Sequence, residues 1–214
     1  MSRYYDFFCP VKLLAGEQAL EQLASELASL GARRPLLLTD KGVNATGLAT
    51  LLANVLAEGE LPVAAIWDEI PADSSTAVVE RIAKRYREHD CDSLVALGGG
   101  SVIDTAKAVN IPTSMGGDHL LDYSGAGCLT SPLKPLAVVP TTAGTGSEVT
   151  LVAVIKDEAS GRKVPFTSPF LLPQLAVLDP RLTQGLPLNI TAATAMDAMT
   201  HAIEAFIGTA KNPV

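Results

Sequence analysis

Apolar and polar positions follow two different patterns along the chain, short apolar runs and helical spacing. Together these patterns predict a regular series of strands and helices. Short apolar runs at residues 35–39, 63–67, 93–97 and 136–139 are typical of buried strands. Apolar residues recur at helical spacing in residues 17–30, 45–56 and 75–89. An extended, aromatic segment at residues 4–14 predicts one more strand at the start, and residues 149–155 another. Strands that alternate with helices predict an α/β fold, with a parallel sheet and helices on both of its faces.

Three consecutive glycines, Gly98, Gly99 and Gly100, follow the apolar run at residues 93–97, and Ser101 then opens a helical pattern. Glycine lets the backbone come close to a ligand, and the free N–H groups at a helix start favour an anion. This segment therefore predicts a binding site for the diphosphate of a nucleotide. The alternative is an ordinary tight turn, in which Ser101 and Asp104 form a capping box.

A second loop of related composition follows the strand at residues 136–139. Residues 140–150 contain two glycines and five hydroxyl side chains, namely Thr141, Thr142, Thr145, Ser147 and Thr150. Hydroxyls can donate hydrogen bonds to phosphate or ribose oxygens. Because ligands of parallel sheets bind beyond the carboxyl ends of the strands, both loops fall where a ligand is expected. The alternative is a hydroxyl-rich turn without a ligand.

Asp40 ends the strand at residues 35–39 and therefore lies at the same predicted edge of the sheet. A carboxylate there can accept hydrogen bonds from an adenosine ribose and repel a 2′-phosphate, which predicts NAD rather than NADP. The ordinary dinucleotide fingerprint has the opposite order, with the glycines first and the acidic residue later. The alternative is that Asp40 only caps a helix or turn before Gly42.

Composition narrows the classes of partner. The 214 residues, 48% of them hydrophobic, are enough for one large domain or for one domain and part of another. A net charge of −7 without a Lys/Arg cluster argues against nucleic acid as a partner. The sequence has neither an apolar run that predicts a membrane span nor a secretory signal. Three widely spaced cysteines, with no zinc pattern, are typical of free thiols in a reducing cytoplasm.

The two loops, together with the downstream segment MDAMTHAIEAF at residues 196–206, closely resemble the iron-containing (group III) alcohol dehydrogenases. The resemblance runs from the first strand to the last residue. It implies a dehydroquinate synthase-like nucleotide-binding domain at residues 1–184 and the beginning of an all-helical domain at residues 185–214. It also implies a cleft between the two domains that holds NAD and one divalent metal ion.

The resemblance also implies a role for individual residues. The diphosphate would lie on Gly98, Gly99, Gly100 and Ser101, and the nicotinamide ribose near Thr141, Thr142, Thr145 and Ser147. Lys163 would approach the cofactor ribose, and Leu182 would line the cofactor. Asp197 and His201 would ligate the metal, since residues four apart on a helix can point at one ion. A carboxylate and an imidazole suit iron(II) or zinc; by themselves they are typical of a surface or capping pair.

The sequence departs from the family pattern at two points. Two further histidines complete the metal site in the family, and neither His89 nor His119 matches their positions. The chain is therefore expected to stop early in the helical domain. Residues 70–75 also differ from the asparagine- and proline-bearing segment that the family often has there.

The expected function is that of a metal-dependent, NAD-linked alcohol dehydrogenase or aldehyde reductase acting on small alcohols or aldehydes. The protein is expected in the cytoplasm, as a homodimer paired through residues 6–14, and residues 1–214 alone are expected to be inactive. Three alternatives stay open: an NAD-binding module without catalysis, a relative such as glycerol dehydrogenase or dehydroquinate synthase, and a scaffold without a ligand.

Overall fold

A computed structural model describes residues 7–117 and 119–209, and its centre is a six-stranded sheet. In chain order the strands are β1 (Lys12–Ala15), β2 (Pro35–Leu38), β3 (Ala65–Trp67), β4 (Ser93–Gly98), β5 (Gly125–Ala126), β6 (Leu136–Pro140), β7 (Val152–Lys156), β8 (Lys163–Thr167) and β9 (Leu175–Leu178). The large sheet has the order β1-β9-β6-β4-β2-β3, and all of its strands are parallel. A small sheet has the order β5-β8-β7, with β7 and β8 antiparallel.

Helices connect several of these strands, and one more helix follows the last strand. They are α1 (Leu23–Ser29), α2 (Lys41–Ala45), α3 (Leu48–Glu58), α4 (Thr76–Glu88), α5 (Gly100–Met115) and α6 (Leu188–Ile207). Short 3-10 turns lie at Ala19–Gln22, Leu120–Tyr123, Ser147–Val149, Pro169–Leu171 and Pro180–Leu182.

Apolar side chains on the two faces of the large sheet form two separate cores. Successive residues of a strand point to opposite faces, so Leu36 and Leu38 of β2 belong to one core and Leu37 to the other. Helices α4 and α5 cover the first core, and α1 and α3 cover the second. Each leucine buried in this way stabilises the fold by about 1.5–3 kcal/mol. The predicted fold class, a parallel sheet with helices on both faces, is confirmed.

The order of the strands reverses its direction between β2 and β4. From β2 the chain passes to β3 on one side, and it then returns to place β4 on the other side. Thr39 joins the two strand ends, because its hydroxyl donates to the carbonyl of Leu97 over 2.8 Å. Such a reversal point is where open parallel sheets bind their ligands.

Several elements differ from the sequence prediction. The helix predicted at residues 45–56 is divided into α2 and α3 because Gly47, with φ of 85°, has a left-handed backbone that no helix can continue. The helix predicted at residues 17–30 begins with a 3-10 turn. The strand predicted at residues 149–155 starts later, since Ser147–Val149 is a 3-10 turn. The strand predicted at residues 4–14 begins only at Lys12, since residues 7–11 are not part of the sheet, and residues 4–6 lie outside the described residues.

Two further predictions concern membrane spans and the state of the cysteines. Across residues 7–117 and 119–209, no helix has both the length and the apolar character needed to cross a membrane. All three cysteines, Cys9, Cys91 and Cys128, are free thiols, as predicted.

Candidate functional site

A cleft of about 270 Å³ lies beyond the carboxyl end of the large sheet. The start of α5, the loop after β6, the start of β8 and one side of α6 all contribute to its wall. The residues predicted from the sequence that line it are Gly100, Ser101, Thr145, Ser147, Lys163, Asp197 and His201. Lining residues that the sequence analysis did not assign are Ala72, Asp73, Ser74, Asp104 and Val154. The fold thus brings separate predicted segments to one place.

The three glycines after β4 allow neighbouring elements to come unusually close. A Cβ on Gly98 would lie 2.6 Å from Val102 Cγ2, and one on Gly100 would lie 2.8 Å from Thr145 Cγ2. A Cβ on Gly99 would lie 3.2 Å from the side chain of Thr142. None of the three has a positive φ. Gly99 and Gly100 are therefore needed for close packing against the loop after β6, and Gly98, the last residue of β4, for close packing of α5 through Val102.

The N terminus of α5 is suited to an anion. This helix has 16 residues, and its first backbone N–H groups have no partner within the helix. The side chain of Ser101 is already engaged, because its hydroxyl donates to the carbonyl of Ala72 over 2.6 Å. Asp104 Oδ2 accepts a hydrogen bond from the Val154 N–H over 3.0 Å. The alternative of a capping box between Ser101 and Asp104 is therefore wrong.

The loop after β6 is held in place from both sides. The Thr141 N–H donates to the carbonyl of Gly98 over 3.0 Å, and this bond ties the two loops together. The Ser147 N–H donates to Thr145 Oγ1 over 3.3 Å. Thr141 and Ser147 are both buried. The hydroxyl-rich segment is consequently an ordered wall of the cleft.

Lys107 of α5 fixes the end of this loop from inside the protein. The completely buried Nζ donates to Thr150 O (2.8 Å), Thr150 Oγ1 (3.0 Å) and Val152 O (3.0 Å). Burial lowers the pKa of Lys107 to about 8, although the carboxylates of Asp104 and Glu148 act in the opposite direction. Burial also shifts Asp104, whose pKa it raises. The nearby Lys107 ammonium partly offsets this increase. Asp104 Oδ1 is buried and has no hydrogen-bond partner within the described residues.

Charged side chains meet at the rim of the cleft. Lys163 Nζ lies 3.3 Å from Asp73 Oδ1, and Lys156 Nζ lies 3.6 Å from Asp73 Oδ2. Since all three side chains are partly exposed to solvent, these ion pairs contribute little to stability. They do place two ammonium groups within reach of an anionic ligand.

Asp197 and His201 lie on the side of α6 that faces the cleft. Asp197 Oδ1 and His201 Nε2 are 3.8 Å apart. Bonds of about 2.0–2.2 Å to a metal such as zinc let one ion contact both atoms, so this pair fits a metal site. No group of three or more histidine, cysteine, aspartate or glutamate side chains that could hold a metal exists in the described part of the chain. Among the described residues this pair therefore has no third side chain of these types beside it, and its metal-binding role stays a prediction.

Six predicted cofactor residues are not part of the cleft wall. Asp40 Oδ1 accepts a hydrogen bond from the Val43 N–H over 2.9 Å and caps α2, so the capping alternative is confirmed. The contact of Asp40 with an adenosine ribose stays a prediction. Leu182 is buried in the core on the α1 and α3 face, and its contact with the cofactor also stays a prediction. The other four, Gly98, Gly99, Thr141 and Thr142, form the packed base of the two loops.

Three features of the cleft fit a phosphate-bearing nucleotide. They are the close-packed glycines before α5, the free N–H groups at the start of α5, and the buried Ser74 hydroxyl in the cleft wall, which has no hydrogen-bond partner among the described residues. A sequence model of the family described as "Iron-containing alcohol dehydrogenase" matches residues 10–180. The chain belongs to the iron-containing alcohol dehydrogenase family. The resemblance seen in the sequence is confirmed.

Individual members of this family are similar over nearly the whole chain. The 4-hydroxybutyrate dehydrogenase of Cupriavidus necator is 46% identical over 199 residues, which cover 91% of this chain and 51% of that protein. The NAD-dependent methanol dehydrogenase of Bacillus methanolicus is 37% identical over 209 residues, which cover 98% of this chain and 54% of that protein. A crystal structure of 1,3-propanediol oxidoreductase superimposes with a TM-score of 0.93 at 36% identity. The match covers 99% of this chain and 55% of the chain in that structure. The chain thus spans about half the length of these relatives.

Three of the five lining residues that sequence reasoning did not assign have polar side chains. Asp73 and Ser74 follow β3, and their position after a strand at the ligand edge was a usable signal. Asp104 was considered only as a capping residue, although it lies one turn into the helix that opens the cleft.

Proposed function

We propose that this chain forms the NAD-binding part, and the first part of the metal site, of an alcohol dehydrogenase or aldehyde reductase. The supporting observation is that one cleft is lined both by the phosphate-type loops around Gly100 and Thr145 and by the Asp197/His201 pair. A nucleotide bound beside potential metal ligands is the arrangement that metal-assisted hydride transfer requires.

The chain's own residues would position the cofactor. Backbone N–H groups of Gly100 and Ser101 would bind the diphosphate at the start of α5. Thr145 and Ser147 would hold the nicotinamide ribose, and Lys163 would move from Asp73 towards the cofactor ribose. Asp40 would accept hydrogen bonds from the adenosine ribose through the oxygen that does not cap α2, which favours NAD over NADP.

Asp197 and His201 would hold a divalent ion, iron(II) or zinc, through Oδ1 and Nε2. When bound, such an ion polarises an alcohol or carbonyl oxygen, and NAD accepts or supplies the hydride. The remaining ligands would come from outside the described residues, in the helical domain that we propose begins near residue 185. Residues 1–214 alone are therefore expected to bind NAD without useful turnover.

The substrate class follows from the relatives. The names of the similar proteins specify 4-hydroxybutyrate, methanol and 1,3-propanediol, all of which carry a primary alcohol. We therefore propose a short-chain primary alcohol, or the corresponding aldehyde, as the substrate.

Pairing of two copies along the open edge of β1 is the proposed route to a homodimer, because β1 is the edge strand of the large sheet.

Calorimetric titration of the purified chain with NAD and with NADP tests the nucleotide part of this proposal, with Asp40→Ala as the variant. We expect NAD to bind at least about tenfold more tightly than NADP, because a carboxylate repels the 2′-phosphate. The variant should lose most of this preference. Asp122→Ala is a suitable control, since Asp122 is an exposed carboxylate in the 3-10 turn at Leu120–Tyr123 and does not line the cleft.

The same preparation should be assayed for NADH formation with methanol or 1,3-propanediol and added iron(II) or zinc. NAD binding without turnover supports the proposal. If neither nucleotide binds, the proposal of a cofactor cleft is wrong; if turnover reaches ordinary enzyme rates, the proposed incompleteness of the metal site is wrong.

A further inference from the structure

One hydroxyl in the cleft wall has no partner in the described structure. Ser74 is 6% exposed, and its Oγ is buried without a hydrogen bond. A buried hydroxyl that is left unpaired costs free energy, and such groups in native proteins usually acquire a partner from water or a ligand. Ser74 lines the cleft together with Gly100 and Ser101. Its hydroxyl can therefore reach a molecule bound at the start of α5 only by rotating about χ1 towards the cleft.

The backbone around Ser74 is held on two sides. The carbonyl of Ala72 accepts a hydrogen bond from Ser101 Oγ over 2.6 Å, and the carbonyl of Ser74 accepts one from the Lys156 N–H over 2.9 Å. Ser75 pairs with Lys156 in a parallel bridge, and its hydroxyl donates to Glu158. Residues 72–75 are thus fixed between α5 and β7, and rotation about χ1 alone moves the Ser74 oxygen among its staggered positions.

The neighbouring Ser101 cannot supply the same hydrogen bond while it holds this segment. Its hydroxyl is committed to Ala72, so the predicted diphosphate loop contributes backbone N–H groups but no free hydroxyl of its own. Ser74 offers an uncommitted donor beside those N–H groups, in a segment where the sequence departs from the usual family pattern.

We propose that Ser74 is a cofactor-binding residue whose hydroxyl donates a hydrogen bond to a diphosphate oxygen of NAD at the N terminus of α5. This inference rests on the proposed function, and it adds to the cleft a contact from the segment that follows β3. The bond would give the buried hydroxyl its missing partner and would join residues 72–75 to the cofactor.

The test is calorimetric titration of residues 1–214 and three variants with NAD, with ADP-ribose and with inorganic pyrophosphate. The variants are Ser74→Ala, the conservative Ser74→Thr, and Ser75→Ala as a matched control from the adjacent position. Melting temperatures without ligand should be recorded for each, because they separate a binding role from a structural one.

We expect Ser74→Ala to weaken NAD and ADP-ribose by about tenfold, the effect of losing one charge-assisted hydrogen bond. Its melting temperature should not fall, since the change removes an unpaired buried hydroxyl. Ser74→Thr should stay within about threefold of the original affinity, and Ser75→Ala within about twofold. Pyrophosphate binding should weaken in Ser74→Ala by a factor similar to that for NAD.

Three results would overturn this assignment: unchanged affinities in Ser74→Ala, weaker binding of NAD with no change for ADP-ribose and pyrophosphate, or a lower melting temperature that accounts for the weaker binding. Failure of the unaltered chain to bind NAD is a different result, because it removes the proposed function itself and this assignment with it.

Discussion

Lys107 shows how one side chain can order a binding loop from inside the protein. Its ammonium is completely buried and donates to two backbone carbonyls and one hydroxyl at the end of the hydroxyl-rich loop. A buried charge is costly unless several acceptors surround it, and here the loop itself provides them. The position of Thr145 and Ser147 in the cleft therefore depends on a residue that contacts no ligand.

This arrangement predicts a particular dependence of stability on pH. In the folded protein the pKa of Lys107 is lowered to about 8, from 10.5 in the unfolded chain. Between these values the unfolded state binds more protons than the folded state, so the free energy of unfolding rises with pH. The expected contribution is about 3 kcal/mol between pH 8 and 10.5.

Urea unfolding of the unaltered chain and of Lys107→Met across this pH range is the measurement. The variant should be less stable at every pH, by about 3 kcal/mol or more, because it leaves acceptors unpaired in the interior. Its deficit should widen as the pH rises, since only the unaltered chain gains from losing the Lys107 proton. A deficit that stays constant from pH 8 to 10.5 would contradict the lowered pKa.

Helix α6 has two sides of opposite character. At 100° per residue, Thr194, Asp197 and His201 share one side, and Met196, Met199, Ile203 and Phe206 form a stripe on the other. The first side meets the hydroxyl-rich loop after β6, because a Cβ on Gly144 would lie 2.3 Å from the carbonyl oxygen of Thr194. The apolar stripe is exposed to solvent. Such a stripe promotes association in solution unless another part of a protein covers it.

The contact at Gly144 sets the position of Asp197 and His201 relative to the hydroxyl-rich loop. We predict that Gly144→Ala forces α6 away from the loop, because its Cβ would meet a backbone atom that cannot rotate aside. Hydrogen exchange measured by mass spectrometry should then become about tenfold faster in residues 188–207, which corresponds to about 1.4 kcal/mol of local stability.

The control for this experiment is Gly185→Ala, since a Cβ at Gly185 would meet no atom within 4 Å. It should leave exchange in α6 unchanged. Equal exchange rates in the two variants would mean that α6 is not held by the loop. Strand β4 should keep its protection in both variants, because neither change reaches the core.

The fold was predictable where the information is local. The apolar run of β4, the glycines after it and the hydroxyl-rich loop were all identified in sequence, because strand, turn and helix signals extend over a few residues. The break at Gly47 was missed, since an isolated glycine within a helical pattern does not reveal its φ. The weakly apolar β8 was not predicted as a strand, because Pro165 weakens its strand signal, although it pairs with β7 as a local antiparallel hairpin.

The candidate site was less predictable where it depends on distant contacts. Neither the unpaired hydroxyl of Ser74 nor the hydrogen bond from Val154 to Asp104 has a signal in sequence, because 50 residues separate the latter pair. The roles of Ser101 and Asp40 were ambiguous for a related reason. A short sequence pattern cannot tell whether a polar side chain serves its own helix, a neighbouring segment or a ligand.

The central claim is that the separate segments around this one cleft bind NAD together. Titration of the isotopically labelled chain with NAD, followed by the chemical shifts of its backbone amides, tests it most directly. We predict saturable shifts that concentrate at Gly100, Ser101, Thr145 and Ser147 and extend to Ser74 and Lys163. Shifts confined to the surface pocket near Glu80 and Pro112, or no shifts at millimolar NAD, would contradict the account.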